Sequence, residues 1–236
     1  MSIKEVNRKN ELLCAHSALL CAALMSIGIF GIAGWLPVVS PSLTAEDLAS
    51  LFEQNRVNIL IGMSLLALSA AFYWPFSAAI TMQMRRIEGK SHPLTYVQIV
   101  SSTGTVMAIL LPSYFWLAAV FRPEVPAGTL QVFNDLSWLM FIGCYPPIFI
   151  QNLSIARVIL TDKKQLKTYP RWVGFMNIWV PIIYLVLAVG LPFEKTGPLA
   201  WDGILGFWVV ALCFFSWLFV MWWTTVKAVN SAAEED

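Results

Sequence analysis

Charge is scarce in this chain. Only 12% of its 236 residues are Asp, Glu, Lys or Arg, about half the share of roughly 25% found in soluble domains. Most of the chain therefore cannot face water. Histidine is scarcer still, with only His16 and His92. Membrane desaturases and hydroxylases hold iron with many histidines, so that class is excluded. A haem between two helices needs facing histidines at membrane depth; the one pair here lies near the inner surface and is a weak candidate. The four cysteines, Cys14, Cys21, Cys144 and Cys213, show no CxxC spacing. All four fall in apolar stretches, where cysteine acts as a small hydrophobe. No disulfide, no metal site and no cofactor is expected.

Other chemistries are missing as well. No lysine lies mid-span to form a retinal Schiff base. No acid or base lies in the middle of one, where proton relays and ion pathways usually show themselves. There is no GxSxG elbow, no HExxH and no P-loop. The acid-rich signature of phospholipid head-group transferases is absent too: Asp202-Gly203 stands without partners. Serines and cysteines in the apolar stretches lack a histidine or lysine at a depth that would activate them. The net charge of +1 gives nucleic acid nothing to bind.

What is present is six long apolar stretches, with almost every charge between them. A membrane-spanning helix needs roughly 20 apolar residues, because the hydrocarbon layer is about 30 Å thick and a helix rises about 1.5 Å per residue. The expected spans are 13–36, 57–83, 96–121, 135–160, 172–192 and 204–227. They leave no room for a soluble domain, so the fold expected is all-α: one polytopic membrane domain over 1–236. Lys4, Arg8 and Lys9 resemble the basic start of a signal peptide. The apolar run behind them exceeds the usual length of about 7–15 residues, so it reads as a retained first helix.

The basic residues set an orientation. Twelve of the fifteen fall at the termini and in the second and fourth loops; Arg56, Arg122 and Lys195 alone fall on the other side. By the positive-inside rule both termini are cytoplasmic. Trp35, Trp116, Trp138 and Trp201 then lie near the outer interface, and Trp172, Trp222 and Trp223 near the inner one. In the first outer loop, Thr44 followed by Asp47 resembles a capping box. Leu48, Leu51 and Phe52 share one face at helical spacing, with Glu46, Asp47 and Glu53 elsewhere. A short interfacial helix near 45–55 is expected there, either a connector or a lid.

Interior prolines (Pro75, Pro112, the pair Pro146-Pro147, and Pro181) predict kinked spans. The neutral polar residues gather in the cytoplasmic half: Gln98 and Ser102 on the third span, Gln151 and Asn152 on the fourth, Asn177 on the fifth. Amides in hydrocarbon need partners. Two readings stand side by side, interhelical glue and a polar binding pocket. On the outer side Arg122, Asp135 and Asp202 form a candidate charged cluster, with the two acids also placed to cap helix starts.

Three stretches carry a likeness: Tyr169-Pro170-Arg171-Trp172-Val173-Gly174-Phe175-Met176-Asn177-Ile178-Trp179, then Gly197-Pro198-Leu199-Ala200-Trp201-Asp202-Gly203, and Arg85-Arg86-Ile87-Glu88-Gly89 upstream. Together they resemble a group of uncharacterised bacterial integral membrane proteins of about this length. The resemblance implies six helices and a bacterial plasma (inner) membrane, and gives no residue a role.

The function expected is non-catalytic: a subunit of a larger membrane complex, or a binder or conduit for a small neutral or apolar molecule. The partners that follow are the lipid bilayer, other membrane subunits or further copies of the chain, and a small apolar ligand. Two alternatives remain. One is a membrane enzyme acting on a lipid or isoprenoid at the cytoplasmic surface through Arg85, Arg86, Glu88 and His92. The other is a stand-alone channel or carrier.

Overall fold

The computed structural model describes residues 3–163, 168–190 and 193–235. Lys164, Lys167 and the last two residues of the expected fifth span lie outside the described residues. All regular structure among the described residues is helical. Six helical stretches are long and apolar enough to cross a membrane: Ile3–Ile32, Arg56–Glu88, Pro93–Phe121, Ala127–Thr161, Arg171–Gly190 and Ile204–Ala232.

The first comprises α1 (Ile3–Ser26) and a π-helical extension over Ile27–Ile32. It starts ten residues before the apolar run, because the polar turns of Lys4 to Glu11 continue the same helix. The amphipathic segment forms α2 (Ala45–Gln54). Thr44 caps it, accepting from the Asp47 amide at 3.1 Å and donating to the Asp47 carboxylate at 2.8 Å. Leu48 and Phe52 are buried beneath it. Next come α3 (Arg56–Glu88) and α4 (Pro93–Phe121). The turn between them is closed by Gly89, whose φ of 76° suits a residue without a side chain. The Glu88 carboxylate accepts from the backbone of Leu94 and Thr95, capping α4.

The fourth stretch is not one helix over 135–160. It is two, α5 (Ala127–Gly143) and α6 (Tyr145–Thr161), interrupted at Cys144. Pro146 and Pro147 have no amide hydrogens to offer the carbonyls of the preceding turn, so the helix stops and restarts. By contrast α3, α4 and α7 (Arg171–Gly190) continue through Pro75, Pro112 and Pro181. A second π-helical segment, Ile204–Val209, opens α8 (Val210–Glu235).

Neighbouring helices close a ring in the order α1, α3, α4, α6, α7, α8 and back to α1, and α3 also touches α6 and α8. Both termini lie at one end, where Arg8 donates to Asn230 at 3.0 Å. The end bearing α2 is the other. In lipid, apolar surface gives helices no reason to prefer each other over acyl chains, so close packing and polar contacts hold them. At Gly28 and Gly62 the π segment and α3 approach so closely that a β-carbon on either would stand 2.5 Å from the other's carbonyl oxygen.

Candidate functional site

Three irregular places in the helices meet around one pocket. The first π segment contributes Ile29 and Phe30; the second contributes Phe207, with Val210 just after it; the α5–α6 interruption contributes Cys144 and Tyr145. The two π segments touch there, with Phe30 and Phe207 edge to face and ring centres 6.2 Å apart. Thr105, Ala108 and Ile109 of α4, Tyr184 of α7 and Ala211 of α8 complete the wall. The pocket has about 770 Å³ of empty volume, mouth included, and no charged side chain lines it. On the side toward α2 it runs up to an aromatic cluster. Phe141 and Phe207, both in the wall, pack on Trp138, and Trp138 contacts Trp35, Trp116 and Trp201. Trp201 also donates to the Val39 carbonyl at 2.9 Å, and Trp116 to Asn134 at 3.2 Å. These indoles therefore pack inward, joining helices to one another.

On the opposite side the pocket meets polar groups. Thr105 donates to Gln151 Oε1 at 2.9 Å, and the Tyr73 hydroxyl donates to the same oxygen at 3.2 Å. Tyr184 donates to the Val210 carbonyl at 3.0 Å.

The polar residues expected from depth are all fully buried, but they fall into separate groups. Gln98 is held between helices: its Oε1 accepts from Thr81 at 2.7 Å and its Nε2 donates to Ser77 at 2.9 Å, both on α3. Ser102 bonds back to the Ile99 carbonyl on its own helix at 2.7 Å. Gln151 faces Tyr73 and Thr105. Asn177 accepts from the Trp217 indole at 2.8 Å and donates to the Val173 carbonyl at 2.8 Å, pinning α7 to α8. Tyr73 and Trp217 stack with ring centres 6.3 Å apart, so an aromatic contact connects the Gln151 group to the Asn177 group. No hydrogen bond joins Gln98, Gln151 and Asn177 to one another among the described residues. Asn152, one residue beyond Gln151, is buried with neither amide atom bonded, and Gln151 Nε2 is likewise without a partner.

At the α2 end, Arg122, Asp135 and Asp202 are not joined by any ion pair among the described residues. The Arg122 guanidinium lies 5.7 Å from the centre of the Phe121 ring. It borders a shallow recess with Arg56, and Arg56 itself donates to the carbonyls of Val120 and Phe121. Lys195 is the cation whose charge reaches Asp135.

At the termini end, Glu11 of α1 receives two bonds from Arg86 of α3, at 3.0 and 3.1 Å, and one from Gln83 at 2.8 Å; Arg86 also donates to Gln83 at 2.7 Å. Arg86 and Glu88 thus each hold structural hydrogen bonds. Glu11 was not legible as a participant, since it precedes the apolar run. Tyr73, Tyr184 and Trp217 were hidden because a buried aromatic looks like ordinary filling until its polar atom finds a partner. No family model matches the chain, and no curated protein or solved structure matches it.

Proposed function

We propose that this chain is a non-catalytic integral membrane protein that holds a small, uncharged, apolar molecule in the pocket between α1, α4, α5, α6, α7 and α8. The observation that carries this reading is the meeting of both π segments and the α5–α6 interruption on one apolar space. The α5–α6 interruption lacks regular backbone bonds, which hydrocarbon tolerates only where the backbone is buried in protein or lines a cavity. π-helical turns are rare and concentrate at functional sites. A mostly apolar wall with a few convergent hydroxyls is the usual composition of a site for a neutral ligand.

In this reading the bundle sits in a bacterial plasma membrane, with the termini and the Glu11–Arg86 pair on the cytoplasmic side and α2 lying on the outer surface. The basic-residue asymmetry supports that orientation. Bends at Pro75, Pro112 and Pro181 add to the space between helices. The orientation is tested by impermeant maleimide labelling in a cysteine-free background: Ser42→Cys should label in intact cells, and Ser231→Cys only after the membrane is opened.

The pocket is tested by native mass spectrometry of the protein extracted with its surrounding lipid. A retained one-to-one small-molecule adduct is expected. Ala211→Trp, which fills the wall, should abolish it without unfolding the protein. An adduct that survives Ala211→Trp sits elsewhere and defeats the assignment.

A further inference from the structure

The floor of the pocket restricts what its occupant can be. Two hydroxyl donors, from Tyr73 and Thr105, converge on Gln151 Oε1. With the carboxamide placed this way, its oxygen takes both hydroxyl protons. Nε2 is then a buried donor with no acceptor. Gln151 does not line the pocket itself; it is reached through Thr105, to which it is bonded, and it lies one helical turn from Ile148, both of which do line it. The Thr105 proton is spent on Gln151, so its oxygen is left to accept. The Tyr184 proton is spent on the Val210 carbonyl in the same way.

We infer that the pocket takes an apolar alcohol, whose hydroxyl docks on the floor between Thr105 and Gln151. This rests on the pocket reading above. A hydroxyl both accepts from Nε2 and donates to Thr105 Oγ1, closing a ring of hydrogen bonds. A hydrocarbon leaves the Gln151 donor unpaired in the interior, where an unmade bond is costly. A carbonyl satisfies Gln151 but offers Thr105 no proton. A carboxylate or phosphate surrenders its hydration and meets no cation, since no basic residue lines the wall.

The test uses the whole protein in detergent with three probes of one chain length: oleyl alcohol, 9-octadecene and oleate. Native mass spectrometry counts bound copies across a concentration series. The alcohol should form its one-to-one adduct at roughly tenfold lower concentration than the alkene, the worth of about one buried hydrogen bond. Gln151→Leu and Thr105→Val should each erase that difference while alkene binding persists. Should Gln151→Leu fail to fold, Thr105→Val carries the test, because it changes only one atom in the wall. Equal affinity of alcohol and alkene in the unaltered protein, or an undiminished preference in Thr105→Val, overturns the inference and leaves the pocket reading standing. Tightest binding of oleate overturns the neutrality of the site. Absence of any adduct that Ala211→Trp abolishes overturns the pocket itself.

Discussion

Arg86 on α3 reaches across to Glu11 on α1 and bonds both carboxylate oxygens, at 3.0 and 3.1 Å. The Glu11 side chain is 12% exposed and that of Arg86 32% exposed. Removing the cation alone strands a largely buried carboxylate. Arg86→Met should destabilise the protein by about 1–3 kcal/mol, and Glu11→Gln by less, since Gln83 and Arg86 still find an acceptor. Thermal unfolding in detergent reads both. Equal, negligible effects would mean the pair is solvated and structurally idle.

Asn177 and Trp217 offer a cleaner measurement, because both are fully buried and each supplies a half of one bond. A double-mutant cycle with Asn177→Leu and Trp217→Phe should give a coupling of about 0.6–1.7 kcal/mol, the range seen for interhelical hydrogen bonds in membrane proteins. A coupling of zero would show the two helices are pinned by packing alone.

The Gly28–Gly62 crossing should tolerate no side chain. Gly62→Ala puts a methyl group 2.5 Å from the Gly28 carbonyl and 2.9 Å from the Ala33 side chain. Overpacking of this kind costs about 1–3 kcal/mol. Gly128→Ala, where a β-carbon meets nothing within 4 Å, serves as the control and should lower the melting temperature little or not at all.

Tyr169, in the connection before α7, carries a pH dependence. Burial pushes its phenol above the ordinary range, against its hydrogen bond with Thr225 and the Arg86 charge, which pull the other way. The folded state thus favours the neutral phenol. That stabilisation is complete below the unfolded value of about 10 and is lost as pH rises beyond it. Among the tyrosines that ionise in ultraviolet titration only as the protein opens in strong base, Tyr169→Phe should remove one. An ordinary titration of that tyrosine in the folded protein would contradict its burial.

Much of the fold was legible in the sequence, for a physical reason. A lipid-facing helix must announce itself by length and lack of charge, so the six stretches stood out. Position along a span is a count of residues, which a sequence supplies. Azimuth it does not supply. Gln98, Gln151 and Asn177 occur at similar depth, yet Gln98 turns to Ser77 and Thr81, and Asn177 turns to Trp217. Which way each turns depends on helix order around the ring, and no spacing encodes that. The candidate cluster of Arg122, Asp135 and Asp202 rested on the same projection of depth without direction. The two π segments left no mark on composition, because Ile27–Ile32 and Ile204–Val209 read as ordinary apolar helix. Pro146-Pro147 did carry a signal, but it read as a kink in one helix where the chain makes two.

That division at Cys144 has a mechanical meaning. A helix resists bending through its ladder of backbone bonds, and α8 runs without a proline from Val210 to Glu235. The fourth stretch has missing rungs at mid-depth. Its two halves share α4 as a neighbour, but α5 also packs on α2 and α6 on α7. It is built as a joint where α8 is a strut. Cys144 and Tyr145, at that joint, border the pocket, and α2 rests on the α5 half, so the joint lies between the pocket and α2.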